Sequence, residues 1–471
     1  MSNLEQGPVA PEPASPQPQP DSPALQRQRE AEEKSRKHLE AYIAESEENK
    51  KRRGHMVFGY PILHYDFGNP YEEFFHDSRQ ADWEALDALL ARPWWSRTWT
   101  VQEVWHGKNA ILQCGGTTLK WKTFEKAMSY QEGWDDVGYQ VKETARWPRW
   151  NALKRRYGLA IHIAKKRLLD SRLSDLLWNM WDREATDPRD KVFAVLGLVG
   201  DENPKPQLQP DYTKPMHQVY REAAASVIIS ENSLDLLLAA SGTRARDGLP
   251  TWVPDWRREA NDHRPSLFIN GSKMKTLLYY SGSTYAVHFH GHGYSASGKV
   301  EPVVRFDETL SVLHARGLVF DKVVEVGPPG SNALEIIRSA RSTIGKFLSG
   351  GEGEIVSDVS DEQLKSVLRA GSFVDPETLR PEDVVIETIM AQRRFFVTVD
   401  FRLGIGPSDM IPGDAVSILA GCNFPMVLRR LENGSWVVVG EAYVHKYMAG
   451  EAIGGSEGAL PVPDWEELSL C

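Results

Sequence analysis

The apolar period of the chain changes near Pro250, and that switch constrains the fold more than any single motif. Upstream, apolar residues recur at helical spacing. Trp83, Leu86, Leu89 and Leu90 share one face, and Tyr220 to Leu238 reads as another long apolar-periodic helix. Downstream, residues 266–325 and 393–447 alternate apolar and β-branched positions, interrupted by Gly and Pro. The sharpest local signal is Val427–Glu432, Asn433-Gly434, Ser435–Val444: Asn-Gly between two strand-like runs marks a hairpin, because both residues tolerate positive φ. The order predicts an α+β chain with a helical middle region and a β-rich C-terminal domain.

Composition sets the boundaries. Residues 1–24 are rich in Pro and Gln and have little to bury, which predicts disorder. Residues 25–53 pair Glu30 with Lys34, Glu32 with Arg36 and Glu33 with Lys37, the spacing of a solvated helix. The expected parts are a charged tail over 1–54, a helical part over 55–260, a β-rich domain over 261–455 and a tail over 456–471. The run Ser349-Gly-Gly-Glu-Gly-Glu and the acidic segment after it read as a loop insertion near 350–385.

The bulk numbers exclude several classes. With 55 Lys and Arg against 65 Asp and Glu the formal charge is −10, so nothing favours a phosphate backbone and no nucleic-acid partner is expected. Cys114, Cys422 and Cys471 are scattered and odd in number, which argues for a reducing compartment and against disulfides or a CxxC metal site. No apolar run approaches the ~18 residues that cross a bilayer. A cytoplasmic protein is expected, with Lys50–Arg53 as a nuclear-import alternative.

The segment from Arg92 to Glu103 is the densest in chemistry. On a continuous helix Trp95, Trp99 and Glu103 are four apart and fall on one face. A carboxylate beside aromatic rings in a partly dry pocket can stabilise an oxocarbenium-like sugar. The structural reading is that the indoles are core and Glu103 pairs with a base such as Arg97. Arg189 and Asp190 suit either a substrate phosphate or a helix start, and Asp187-Pro188 favours the cap. Pro254, Asp255 and Trp256 read as a packed corner, with Asp255 accepting backbone or Arg hydrogen bonds. His288, His290 and His292 share a strand face but lack a fourth ligand, so no metal is expected. The acidic Gly-rich run at 349–354 lacks the Lys and Ser or Thr of a phosphate-binding loop.

Taken together, four segments resemble the fungal heterokaryon-incompatibility (HET) family, in that family's order. They are Arg92 to Val104, Asp187 to Leu198, Leu249 to Trp256, and Gly413-Asp414 with Gly421 to Arg429 and Val439 to Glu451. The resemblance covers roughly residues 80–260 and 390–455. It places Arg97, Asp187, Arg189, Asp190, Trp252, Asp255 and Trp256 in family motifs. HET domains are similar to Toll/interleukin-1 receptor (TIR) domains, some of which cleave NAD with a Trp-x-x-x-Glu carboxylate. Trp99 to Glu103 matches that pattern, which implies Glu103 as the catalytic acid, Trp95 and Trp99 at the substrate, and NAD as substrate with no bound cofactor. The family's opening strand-and-loop blocks have no counterpart upstream of Trp83, so the resemblance implies an incomplete TIR/HET-like α/β remnant. Two functions follow from it: a non-catalytic interaction module of non-self recognition and programmed cell death, partnered by other HET-domain proteins, or an NAD glycohydrolase using Glu103.

Overall fold

In a computed structural model, the structure describes residues 56–57, 60–61, 80–129, 156, 160, 163, 172–181, 183–201, 203, 205–240, 248–257, 294–349, 359–371, 382–391, 393–454 and 464–471. The expected tail over 1–54, with Lys50–Arg53, and the three histidines at 288–292 lie outside these residues. The chain divides into Met1–Asp77 and Ser78–Cys471. In the first unit β1 (Met56–Val57) pairs antiparallel with β2 (Tyr60–Pro61).

The second unit opens with helices, as the apolar period predicts. Helix α1 (Gln80–Leu90) buries Leu90, and a 3-10 turn at Pro93–Trp95 precedes α2 (Thr100–His106). Strands β3 (Ile111–Cys114) and β4 (Thr117–Lys120) form a hairpin whose turn puts Gly115 at φ +61°. Next come α3 (Trp121–Ser129), α4 (Leu173–Asn179), α5 (Asp190–Leu196) and α6 (Met216–Glu231). The single long helix expected over Tyr220 to Leu238 is instead two elements. Asn232 turns left-handed at φ 46° and its N–H returns to the carbonyls of Ile228 and Ile229. A short 3-10 turn, Asp235–Leu238, follows and buries all four residues. Among the described residues of this helical part the strands form one antiparallel hairpin, so the parallel sheet of a TIR-like remnant has no counterpart there.

The β-rich part holds a closed ring of strands. Strand β5 (Val304–Phe306) lies along the start of β6 (Leu313–Val326), the longest strand. After three helices, α7 (Ala333–Ser349), α8 (Asp361–Leu368) and α9 (Glu382–Met390), come β7 (Arg393–Thr398), β8 (Leu403–Pro407) and β9 (Ala415–Leu419). Strands β10 (Met426–Arg430), β11 (Trp436–Glu441), β12 (Tyr443–Val444) and β13 (Glu466–Leu470) complete the set. The pairings run β6–β13–β11–β10–β9 and return from β9 to β6, which closes a five-stranded barrel. A side sheet of β7, β8 and β12 branches from the second half of β6. Val323, Phe396, Met410, Val416, Val427 and Val439 form one buried cluster that ties barrel to side sheet.

The hairpin around Asn433-Gly434 forms, with Gly434 at φ +85° and the Asn433 side chain accepting from the Ser435 N–H at 3.0 Å, but its strands stop at Arg430 and begin at Trp436, and Tyr443–Val444 of the expected second run pairs with β8 instead. Two other expectations are corrected. The tail over 456–471 supplies β13, which sits between β6 and β11 and pairs Leu470 with Leu313. The segment near 350–385 is more than a loop insertion. Helix α8 opens on a reciprocal cap between Ser360 and Gln363 and buries Leu364, Val367 and Leu368. Three buried apolar residues at i, i+3 and i+4 make α8 part of the core.

Candidate functional site

Trp95, Trp99 and Glu103 do not share a helical face. The chain is helical only from Thr100, because the backbone of Ser96 and Thr98 pairs with Glu184: Ser96 accepts from the Glu184 N–H at 2.7 Å, and Thr98 donates back at 2.9 Å. That bridge, anchored far along the sequence, breaks the period of four. Trp95 is buried. It stacks on Phe124 with centroids 5.2 Å apart and donates its indole N–H to the Leu89 carbonyl at 2.9 Å. Trp99 is half-buried at the start of α2, Arg97 is exposed, and Glu103 is exposed on the outer side of α2. Glu103 makes no side-chain hydrogen bond or ion pair among the described residues, Arg97 included.

The inner side of α2 is bonded to the segment from Asp187 to Leu198. Gln102 donates to the Ala194 carbonyl at 2.7 Å, and Arg183 donates to the Trp95 carbonyl at 2.8 Å. At the start of α5, Asp187 accepts from the Arg189 N–H at 2.9 Å and from the Arg189 guanidinium at 2.6 Å. The side-chain hydrogen bond from Arg189 holds the Asp187 carboxyl below its ordinary pKa. The same guanidinium donates to the Lys214 carbonyl at 2.9 Å and lies 5.1 Å from the centre of the Tyr212 ring. Asp190 accepts from the Tyr212 hydroxyl at 2.6 Å, and burial with that hydrogen bond pushes the phenol up to about 12. Asp190 is thus the first residue of α5, and Arg189 before it is held by Asp187 and the Lys214 carbonyl.

The corner expected at Pro254–Trp256 is packed, and Val253, Trp252 and Leu249 before it are buried as well. Trp252 and Trp256 are fully buried, and Trp256 meets Tyr220 edge-on at 4.9 Å. Tyr220 in turn donates to the Pro188 carbonyl at 2.8 Å, which links the corner to α5. Asp255 accepts from Arg257 through the backbone at 3.1 Å and the guanidinium at 2.8 Å. The corner reaches the barrel through Thr251, whose N–H donates to the Cys471 carbonyl and whose hydroxyl accepts from the Val438 N–H, both at 2.9 Å.

Several pairs in this network join residues whose partnership the sequence does not reveal, although Asp414, Asn423, Arg429 and Glu441 lie in the fourth family-like segment. Asp235 accepts from both the backbone and the side-chain amide of Asn423 at 2.8 Å each. Arg429 makes a bidentate pair with buried Asp414 at 2.7 and 2.9 Å. Arg393 and Glu441 form an ion pair at 2.7 Å with side chains 0% and 1% exposed. Each pairs residues distant in sequence, so local spacing gives no signal. Among the described residues no group of three His, Cys, Asp or Glu is placed to hold a metal ion, and no helix is long and apolar enough to cross a membrane.

The network thus links the family-like segments, in part through Tyr220, Asp235, Val438 and Cys471, which lie outside them. Comparisons with known proteins bear on the same segments. Residues 358–457 match the Het-6 beta-barrel domain. The match spans β7 to β12, while β6 and β13, which close the ring, lie on either side of it. The chain is 26% identical to "Heterokaryon incompatibility protein 6, OR allele" of Neurospora crassa, over 77% of this chain and 65% of that protein. The alignment thus spans just under two thirds of the relative's length. No solved structure matches the chain.

Proposed function

We propose that the chain is a heterokaryon-incompatibility-type protein, a reading supported by the barrel match and the 26% identity, and that it is a component of fungal non-self recognition that acts through protein contacts. The observation that carries this reading is how the family-like segments use their polar groups. Gln102 bonds to Ala194, Arg189 to Lys214 and Asn423 to Asp235, while Asp187 and Asp255 each hold the arginine two residues on. Such groups make a stiff scaffold, and a stiff scaffold presents its outer surface to partners at low entropic cost. Other HET-domain proteins are the partners this reading favours, with growth arrest or cell death as the outcome.

The second reading, NAD cleavage by Glu103, gains nothing from the geometry. A carboxylate that steadies a ribosyl cation works best in a water-excluded pocket with the substrate held against it. Glu103 is exposed, and the buried Trp95 is held inward by Phe124 and Leu89. The test is paired. The chain and Glu103→Gln are expressed in fusing fungal strains and scored for growth arrest, and both purified proteins are incubated with NAD. We expect equal arrest and no nicotinamide release. Release or arrest that disappears in Glu103→Gln, with the circular dichroism spectrum unchanged, overturns the interaction reading in favour of the enzyme.

A further inference from the structure

The C-terminus of α6, the loop 297–302 and the barrel corner 421–423 enclose a cleft of about 170 Å³. For scale, a cavity of about 150 Å³ accommodates benzene, so the space suits a molecule of roughly five to eight heavy atoms. Its walls are polar and unspent. Ser297 is 2% exposed, lines the cleft, and its hydroxyl makes no hydrogen bond among the described residues. The same holds for the side chains of Asn232, Lys299 and Glu301. Asn423 commits its backbone N–H and amide NH2 to Asp235 and its backbone carbonyl to the Ala296 N–H, which leaves its side-chain carbonyl oxygen available.

We propose that this cleft binds a small free α-amino acid, of about glycine to serine size, as its zwitterion. Charge argues for the class. Lys299 and Glu301 stand two residues apart at the exposed mouth, so a lone anion meets Glu301 and a lone cation meets Lys299. A molecule carrying both charges pairs with both: its carboxylate with Lys299, its ammonium with Glu301. The negative end of α6 reinforces the second contact, because a helix C-terminus favours cations. An apolar occupant is disfavoured, since it would leave the Ser297 hydroxyl and the Asn423 side-chain carbonyl desolvated and unbonded. The floor explains the shape. Gly421 stands at φ +81°, and a Cβ there would lie 2.5 Å from the Pro302 ring, so that side of the cleft is set by backbone.

This inference does not depend on the reading of the family-like segments. Its test is calorimetric titration of the full chain with L-serine, with L-serine methyl ester, which lacks the carboxylate charge, and with glycerate, which has serine's size but lacks the ammonium. We expect saturable binding of serine and about tenfold weaker binding of each analogue, the effect of losing one charged hydrogen bond. Lys299→Ala and Glu301→Gln each remove one arm from an exposed position and should weaken serine by a similar factor without disturbing the fold, checked by circular dichroism. Absence of saturable heat with serine overturns the proposal. So does serine binding that neither variant changes, or analogues that bind as tightly as serine.

Discussion

The carboxylate of Asp235 accepts two hydrogen bonds of 2.8 Å from Asn423, 188 positions later, one from its backbone and one from its side chain. Asp235 is 1% exposed, so both bonds form away from water and from its competition. They fasten the turn after α6 to the corner between β9 and β10, and the Leu234 N–H adds a third bond to the Gly421 carbonyl at 3.0 Å.

Asp235→Ala should therefore lower stability by about 3 kcal/mol or more, since hydrogen bonds to charged groups are each worth about 1.5–3 kcal/mol. Asp235→Asn, which can still accept from the Asn423 backbone, should lose less. Urea denaturation of the two variants measures the order, and an Asp235→Ala midpoint equal to the parent's contradicts it.

The two tryptophans of the aromatic segment should separate. Trp95 is 2% exposed and packs on three rings, so Trp95→Ala should cost ~3–5 kcal/mol. Trp99 is half-buried and should cost clearly less. Thermal unfolding of both variants tests this, and equal losses would show that Trp99 carries more of the packing than its exposure implies.

Two carboxylates should act on the pH profile in opposite directions. Arg189 lowers the pKa of Asp187 in the folded state, so its contribution is present above the ordinary carboxylate range and is lost as pH falls through the folded value. Burial raises the pKa of Glu231, against hydrogen bonds from Ser174 that lower it. Its contribution is present at acid pH and lost as pH rises through its raised value. Asp187→Asn should flatten the acid limb of a stability–pH curve and Glu231→Gln the limb above it. A urea midpoint series across pH reads both, and limbs that keep their slopes in the variants count against the assignment.

Glycine replacements should rank by what surrounds them. Gly434 stands at φ +85° in open space, so Gly434→Ala carries only the left-handed penalty of about 1–2 kcal/mol. Gly421 adds to a φ of +81° a contact of 2.5 Å with the Pro302 ring, so Gly421→Ala should cost clearly more. Parallel denaturation curves decide the ranking.

What could be read from sequence was what lies close along the chain. The hairpin around Asn433-Gly434 and the helix that follows Asp187-Pro188 each involve a few consecutive residues, and both are present. The α+β order was legible for the same reason, since period is a local property. Misreadings arose where a distant partner intervened. Glu184 broke the helix expected to align Trp95, Trp99 and Glu103, and Asn423 receives the turn that ends α6 early. Short segments such as 361–368 and 466–470 looked peripheral because their partners, the side sheet and β6, are far off in sequence.

The strand that completes the barrel carries a kinetic consequence. Leu313 and Leu470 pair across 157 positions (470 minus 313), so the closing ladder is non-local and loop entropy must be spent before its bonds form. Helices α4 to α6 and the β10–β11 hairpin rest on near neighbours and can form quickly. Until β13 arrives, β6 and β11 each show an unpaired rim, and a β13 from another copy fits there as well as the chain's own. Refolding should thus branch with concentration: slow closure to monomer when dilute, and strand exchange between copies when crowded.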